Sequence, residues 1–427
     1  MNRILIHGGR VIDPAQSLDA TLDVAIAEGL IVALGNTADF EADQRIDAQG
    51  LVVCPGFIDL CARLREPGGE HKADIGSETR AASSSGITTL ICPPDTHPVV
   101  DEPAVVEMIR RHAAAAGLVR VLPLGALTRG LRGEQLAEMA ALQQAGCIGV
   151  SNAWQPFANT LVLRRALEYA ATFDLRVFIN PLDAHLAADG CVHDGQVATR
   201  LGLPGIPGAA ETAALAYILE LVRELAVRVH FTTLSCARSV TLLHQAQIDG
   251  LPVSADVSAH QLHLDEQHLG RFDSQLHLRP PVRTRPDRDA LRQALAAGVI
   301  QALCSDHQPH EPDAKANPFA ATEPGISTLE TLLGLGLALV DEGVLSLSEL
   351  IARLTDGPAQ VLGLPLGRLT PGCSADVCLF APDQRQVVTP HQWHSRGRNT
   401  PFSGWTLPGQ VQHTLLAGRI VFSRVAD

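Results

Sequence analysis

Eight short apolar runs, spaced by helix-length segments, constrain this 427-residue chain more than any other feature. They fall at 57–60, 88–92, 119–124, 147–150, 177–179, 227–231, 253–257 and 300–303. Between most of them lie segments of helical composition, at 101–116, 134–145, 159–173, 209–226 and 287–297. A parallel strand covered on both faces reads as a near-continuous apolar run, and its return connection is usually a helix. The alternation therefore fits a (β/α)8 barrel, and it fits a doubly wound parallel sheet as well. The two ends of the chain differ from the middle. Short β-like runs at 4–7, 24–27 and 31–34, and again at 375–380, 411–417 and 418–422, are punctuated by Gly and Asp turns. Both ends look like pieces of one small sheet.

Composition narrows the class. A net charge of -13 argues against nucleic-acid binding. No apolar run reaches the roughly 18 residues of a membrane span, and Met1–Gly9 reads as a strand entering a turn, not a signal peptide. Nine cysteines without CxxC spacing read as reduced thiols and point to the cytoplasm. Most of them lie in or beside apolar runs and read as small core residues. Four histidines, His260, His263, His268 and His277, cluster in sequence and are read as solvated or capping residues.

The segment Pro55-Gly56-Phe57-Ile58-Asp59-Leu60-Cys61-Ala62-Arg63-Leu64-Arg65-Glu66-Pro67-Gly68 closely resembles the first barrel strand of the dihydroorotase family of amidohydrolases. Further segments resemble that family in order: Pro93-Pro94-Asp95-Thr96-His97-Pro98, Pro280-Pro281-Val282-Arg283, Ser305-Asp306-His307-Gln308-Pro309-His310, and Gly325-Ile326 with Leu329-Glu330-Thr331. The resemblance spans the chain. It implies a (β/α)8 TIM barrel of the amidohydrolase type at 55–360, with a small β-sandwich built from residues 1–54 and 361–427.

The resemblance also implies a chemistry. Dihydroorotases open or close a cyclic amide with a metal-bound hydroxide, because a bound Zn²⁺ brings the pKa of water to about 7. Such a zinc wants about three protein ligands at the C-terminal ends of barrel strands. The family's His-x-His on the first strand is here Cys61 and Arg63. Its fourth-strand SDDG is Ser151-Asn152-Ala153-Trp154. Its fifth- and sixth-strand histidines align with Asn180 and Thr233. A guanidinium has no lone pair to give a metal. The two lysines, Lys72 and Lys315, are not placed where a carbamylated lysine would serve. Asp306, the family's general base, survives and is expected to pair with Arg63. A weak cation site at Asp306 would need Cys61, His307 and His310 to converge on it. Among substrate contacts, Arg65 and His310 match the family, while Asp95 and Arg279 replace asparagines, with Asp95 placed to repel an anionic substrate. These four are expected to be remnants of a substrate pocket.

The expectation is a catalytically inactive dihydroorotase-like protein with no metal cofactor. By resemblance its partner is the aspartate transcarbamoylase catalytic chain of pyrimidine biosynthesis, with this chain a homo-oligomer within a larger complex. Two other functions remain compatible with these residues. One is an active zinc-dependent cyclic amidohydrolase, of dihydroorotase or hydantoin/allantoin type, with a rebuilt site. The other is a non-catalytic sensor that holds a small carboxylate on Arg65.

Overall fold

The computed structural model describes residues 3–424. The chain begins in a sheet: β1 (Ile4–Asp13), β2 (Leu18–Ala27), β3 (Leu30–Leu34), β4 (Gln44–Asp47) and β5 (Val52–Pro55). One residue later it enters the barrel. The barrel strands are β6 (Phe57–Asp59), β7 (Ile87–Cys92), β8 (Arg120–Ala126), β9 (Gly149–Ser151) and β10 (Val177–Ile179). A two-stranded parallel ribbon, β11 (Val192–His193) and β12 (Gly205–Ile206), interrupts the series. The barrel then continues with β13 (Val229–Phe231), β14 (Val253–Ser258) and β15 (Ala302–Cys304). The chain returns to the first sheet through β16 (Val377–Val387), β17 (Thr406–Leu416) and β18 (Arg419–Ser423).

The eight barrel strands pair in the order β15-β14-β13-β10-β9-β8-β7-β6, all parallel. The seam between β15 and β6 is closed just beyond their ends. There Ala62 bridges His307, with Arg63 N–H donating to His307 O and His307 N–H to Cys61 O. Closure decides between the two architectures that the apolar runs allow, in favour of the barrel. Each run is a strand within two or three residues because buried parallel strands need apolar side chains on both faces. Helices such as Pro103–Ala116 and Ala209–Leu225 cover the outside. Several start on side-chain caps, for example the Thr284–Asp287 and Ser346–Glu349 capping boxes, which satisfy first-turn N–H groups. Inside the barrel Ile58, Leu60, Ile91, Leu124 and Phe178 form an apolar plug. A site at the strands' C-terminal ends therefore rests on a packed floor.

The chain ends form one continuous sheet in the order β18-β17-β16-β5-β1-β2-β3, with β4 on β1. Ile31 N–H donates to Cys373 O and Ala375 N–H to Gly29 O, so the sheet curls back on itself around its own core of Ile6, Val24, Ile26, Val53 and Val377. The expected sandwich is thus a single curled sheet. On the C-terminal side a helix, Asp356–Leu362, runs across residue 360, and the sheet resumes at Val377. Among the described residues no helix is long and apolar enough to cross a membrane.

Candidate active site

The residues aligned with the family's metal ligands all sit just past the C-terminal ends of strands: Cys61 and Arg63 after β6, Asn152 and Ala153 after β9, Asn180 after β10, Thr233 after β13 and Asp306 after β15. Three of them, Ala153, Thr233 and Asp306, have φ of 48°, 52° and 48°. This left-handed region is disfavoured for non-glycine residues, most of all for a β-branched threonine. Such strain persists only where the surrounding structure enforces it, and it concentrates at functional sites.

Arg63 occupies the centre. Its side chain is 6% exposed. Nε donates to Asp95 Oδ2 at 2.7 Å and Nη1 to Asp306 Oδ1 at 3.3 Å. The Trp154 ring lies 5.7 Å from its Cζ, within cation–π range. Burial works against the guanidinium charge, but Asp95 and Asp306 outweigh it and hold Arg63 protonated. Asp306 also accepts from Gln308 Nε2 at 3.1 Å and from the Cys61 thiol at 3.5 Å. Burial pushes the Asp306 carboxyl up to about 7 against the pull of Arg63. Burial, reinforced by Asp306, pushes the Cys61 thiol well above its ordinary range, so it stays protonated.

The polar groups around them are mostly paired to one another. Asn180 Nδ2 donates to Thr233 Oγ1 at 3.1 Å. Asn152 Oδ1 accepts from Thr128 Oγ1 at 3.3 Å, while its buried Nδ2 finds no acceptor. Thr233 N–H donates to Asp256 Oδ1 at 2.6 Å. Asp256 also accepts from His230 Nε2 at 3.0 Å. The space left among Leu60, Cys61, Arg63, Trp154 and Asn180 is a cavity of about 20 Å³. That is room for one water, against several hundred Å³ for a small-molecule site.

The four residues expected to remain from a substrate pocket do not line this cavity. Asp95 is bound to Arg63, so its charge is compensated and does not stand ready to repel an anion. Arg65 braces the loop after β15, with Nε donating to Pro309 O at 3.0 Å and Nη2 3.0 Å from His310 Nε2. His310 also contacts Lys72 Nζ at 3.0 Å and Pro324 O at 3.0 Å. Burial, then Arg65, Lys72 and Lys315, push the imidazole down to about 2, so it is neutral. Arg279 is half-buried with its pKa lowered by burial. Lys315 is buried, donating to Glu323 O at 2.6 Å.

The weak cation site does not form. His307 is fully buried, with Nε2 2.6 Å from Glu78 Oε2 and Nδ1 accepting from Thr328 N–H at 3.0 Å. Both ring nitrogens are therefore committed, and His310 is held by its own neighbours. Of the histidine cluster only His268 is exposed; the other three are not solvated. His260 and His263 are buried, the latter with Nε2 2.9 Å from Leu335 O, and burial pushes them down to about 3 and about 4. His277 is buried against Thr322 Oγ1, and among these four only His268 caps a turn.

A catalytic zinc does not fit these residues. Besides Arg63, these positions hold one carboxylate engaged by its guanidinium, a protonated thiol, two amides, a threonine and an alanine. Among the described residues no group of three or more His, Cys, Asp or Glu is arranged to hold a metal ion. Sequence reasoning missed Trp154 as the cover over Arg63, and Asp256 and His230 as the buried layer beneath. The signal for the second was present, since polar residues alternate inside the sixth and seventh apolar runs.

A closed parallel barrel, with its candidate site beyond the strand C-termini and a sheet from both chain ends, defines an amidohydrolase-type protein. Residues 50–237 match a family model described as dihydro-orotase-like, and residues 197–422 match that of the amidohydrolase family. A dihydroorotase-like protein of Pseudomonas aeruginosa is 52% identical over 418 residues, covering 98% of this chain and 99% of its own. A dihydroorotase of Syntrophotalea carbinolica is 42% identical over 425 residues, covering 100% of both. The solved L-hydantoinase (dihydropyrimidinase) of Arthrobacter aurescens has the same fold, with a TM-score of 0.89 at 23% identity over 99% of this chain and 96% of that one. The chain belongs to the dihydroorotase-like family of amidohydrolases.

Proposed function

We propose that this chain is a non-catalytic dihydroorotase-like protein of the cytoplasm. In this reading it acts as an assembly subunit for the aspartate transcarbamoylase catalytic chain, as a homo-oligomer within a larger complex. The observation that carries the inactive part is Arg63. It stands at a ligand position, ion-paired to Asp95 and Asp306 under Trp154, and leaves about 20 Å³ of free space. A cyclic amide has nowhere to bind there, and no activated water can be generated on a guanidinium. Breaking a buried charge cluster is costly, so the arginine–carboxylate pairing keeps these positions compensated without a metal. The partner rests on the family resemblance alone.

The test is metal analysis and dihydroorotate turnover, in both directions, on the purified chain, followed by co-purification with the aspartate transcarbamoylase catalytic chain. Substoichiometric zinc, no turnover and a stable complex are expected. One zinc per chain with turnover overturns the inactive reading. A chain that never enters the complex overturns the partner.

A further inference from the structure

The end of the barrel opposite the closed mouth carries a second concavity, of about 430 Å³. Arg176 and Arg228 immediately precede β10 and β13, whose Val177 and Val229 are paired. Parallel register therefore brings both guanidinium stems to the same edge of the barrel, and both line the cavity. No Asp or Glu lines it, in a chain whose net charge is -13. Its volume falls within the range of small-molecule sites.

The two arginines differ. Arg228 is exposed and binds Asp174 at the rim. Arg176 is half-buried and makes no side-chain hydrogen bond or ion pair among the described residues, whereas Arg63, Arg120, Arg283 and Arg292 all donate to protein acceptors. Its guanidinium lies against Gly363, where a Cβ would collide with Nη2. Burial and then Arg228 lower its pKa, with Asp174 partly opposing. An anion placed between the two guanidinium groups relieves both costs, and a guanidinium binds carboxylate or phosphate through two parallel N–H donors.

The other polar walls offer acceptors and donors, Gln301 keeping one N–H beyond its bond to Gly298 O. His230 Nε2 lies 3.0 Å from Asp256 Oδ2 and its Nδ1 2.8 Å from the Ser254 hydroxyl. Ser254 lines the cavity with its oxygen free to accept. Gln360 Nε2 donates to Asp356 Oδ2 at 2.6 Å, which leaves its carbonyl oxygen and one N–H. Leu251 and Val361 supply apolar wall. We propose that this N-terminal end of the barrel is a binding site for a small organic anion, a phosphate or carboxylate that also carries hydroxyl or N–H donors, held by Arg176 and Arg228.

Titration calorimetry of the full chain with ribose 5-phosphate and with citrate tests this. Saturable binding of at least one is expected, weakened at least tenfold in Arg176→Gln and retained in Arg279→Gln at the opposite end. Ribose 5-phosphate alone identifies the phosphate class, citrate alone the carboxylate class, and both an unselective anion site. If Arg176→Gln does not fold by circular dichroism, the exposed Arg228→Gln carries the same test and is expected to weaken binding. Neither probe binding, affinity unchanged in the arginine variants, or loss in Arg279→Gln alone overturns the proposal.

Discussion

The two ends of the barrel treat an arginine in opposite ways. At the C-terminal mouth Arg63 sits between two carboxylates beneath an indole ring, beside about 20 Å³ of space. At the N-terminal end Arg176 has no acceptor among the described residues and faces about 430 Å³. Buried charges persist when they are paired, so a sealed and compensated arginine belongs to the architecture. An uncompensated one beside open volume is arranged for something that comes from solution. The usual allocation in such barrels puts chemistry at the mouth and stability at the base.

The sharpest way to break this comparison is Arg63→Met. It strands Asp95 and Asp306 and should cost about 3 kcal/mol in urea denaturation. Neutralising the partners as well, in Arg63→Met with Asp95→Asn and Asp306→Asn, should recover most of that loss. If Arg63→Met alone is neutral, the mouth is not held by its charges.

A pH effect on the order of a few kcal/mol comes next. Burial raises Asp306 to about 7, so the folded state keeps that proton longer than the unfolded chain. Its contribution is complete below about pH 4 and is lost as pH rises through 7. His310 and His277, lowered by burial to about 2 and about 4, act in the other direction: their stabilisation is present above about pH 6.5 and is lost on acidification. The Asp306 share is therefore read as a difference. Asp306→Asn should gain on the wild-type chain as pH rises from 5 to 8, and parallel stability curves would refute the assignment.

Trp154→Ala removes the cover over Arg63 and should cost about 1 kcal/mol, without conferring dihydroorotate turnover. The smallest effect belongs to the base. Arg176→Gln should leave stability within about 0.5 kcal/mol, because the side chain has no partner to lose. A larger loss in thermal melting would make Arg176 a structural residue like Arg63.

Much of the barrel is legible in the sequence because its signal is local. Each strand is an apolar run, and the helix at Thr160–Thr172 is bounded within one residue by its composition and by the Asn159 cap. The replaced ligand positions are legible too, since Arg63 and Thr233 exclude themselves by side-chain chemistry. What stayed hidden depends on residues brought together from afar. Asp95 lies 32 positions from Arg63, and only folding shows that it neutralises the arginine and does not face a ligand. His260 and His263 read as solvated because polarity was taken for exposure, yet the fold buries them. Arg176 sits at the edge of an apolar run, where nothing local marks a cation without a partner.

Cys54 of β5 lies opposite Cys378 of β16, which makes the first sheet a junction between residues 324 positions apart. A sheet with such pairings forms late, because closing so long a loop costs entropy before any contact repays it. During synthesis β1 to β5 can pair with one another, but the outer edge of β5 has no partner until β16 has emerged. The barrel, built of neighbouring βα units, can assemble in the meantime. The order of assembly follows from the topology: local units first, the join between the two halves of the terminal sheet last, with the unpaired edge of β5 exposed to other chains throughout that interval.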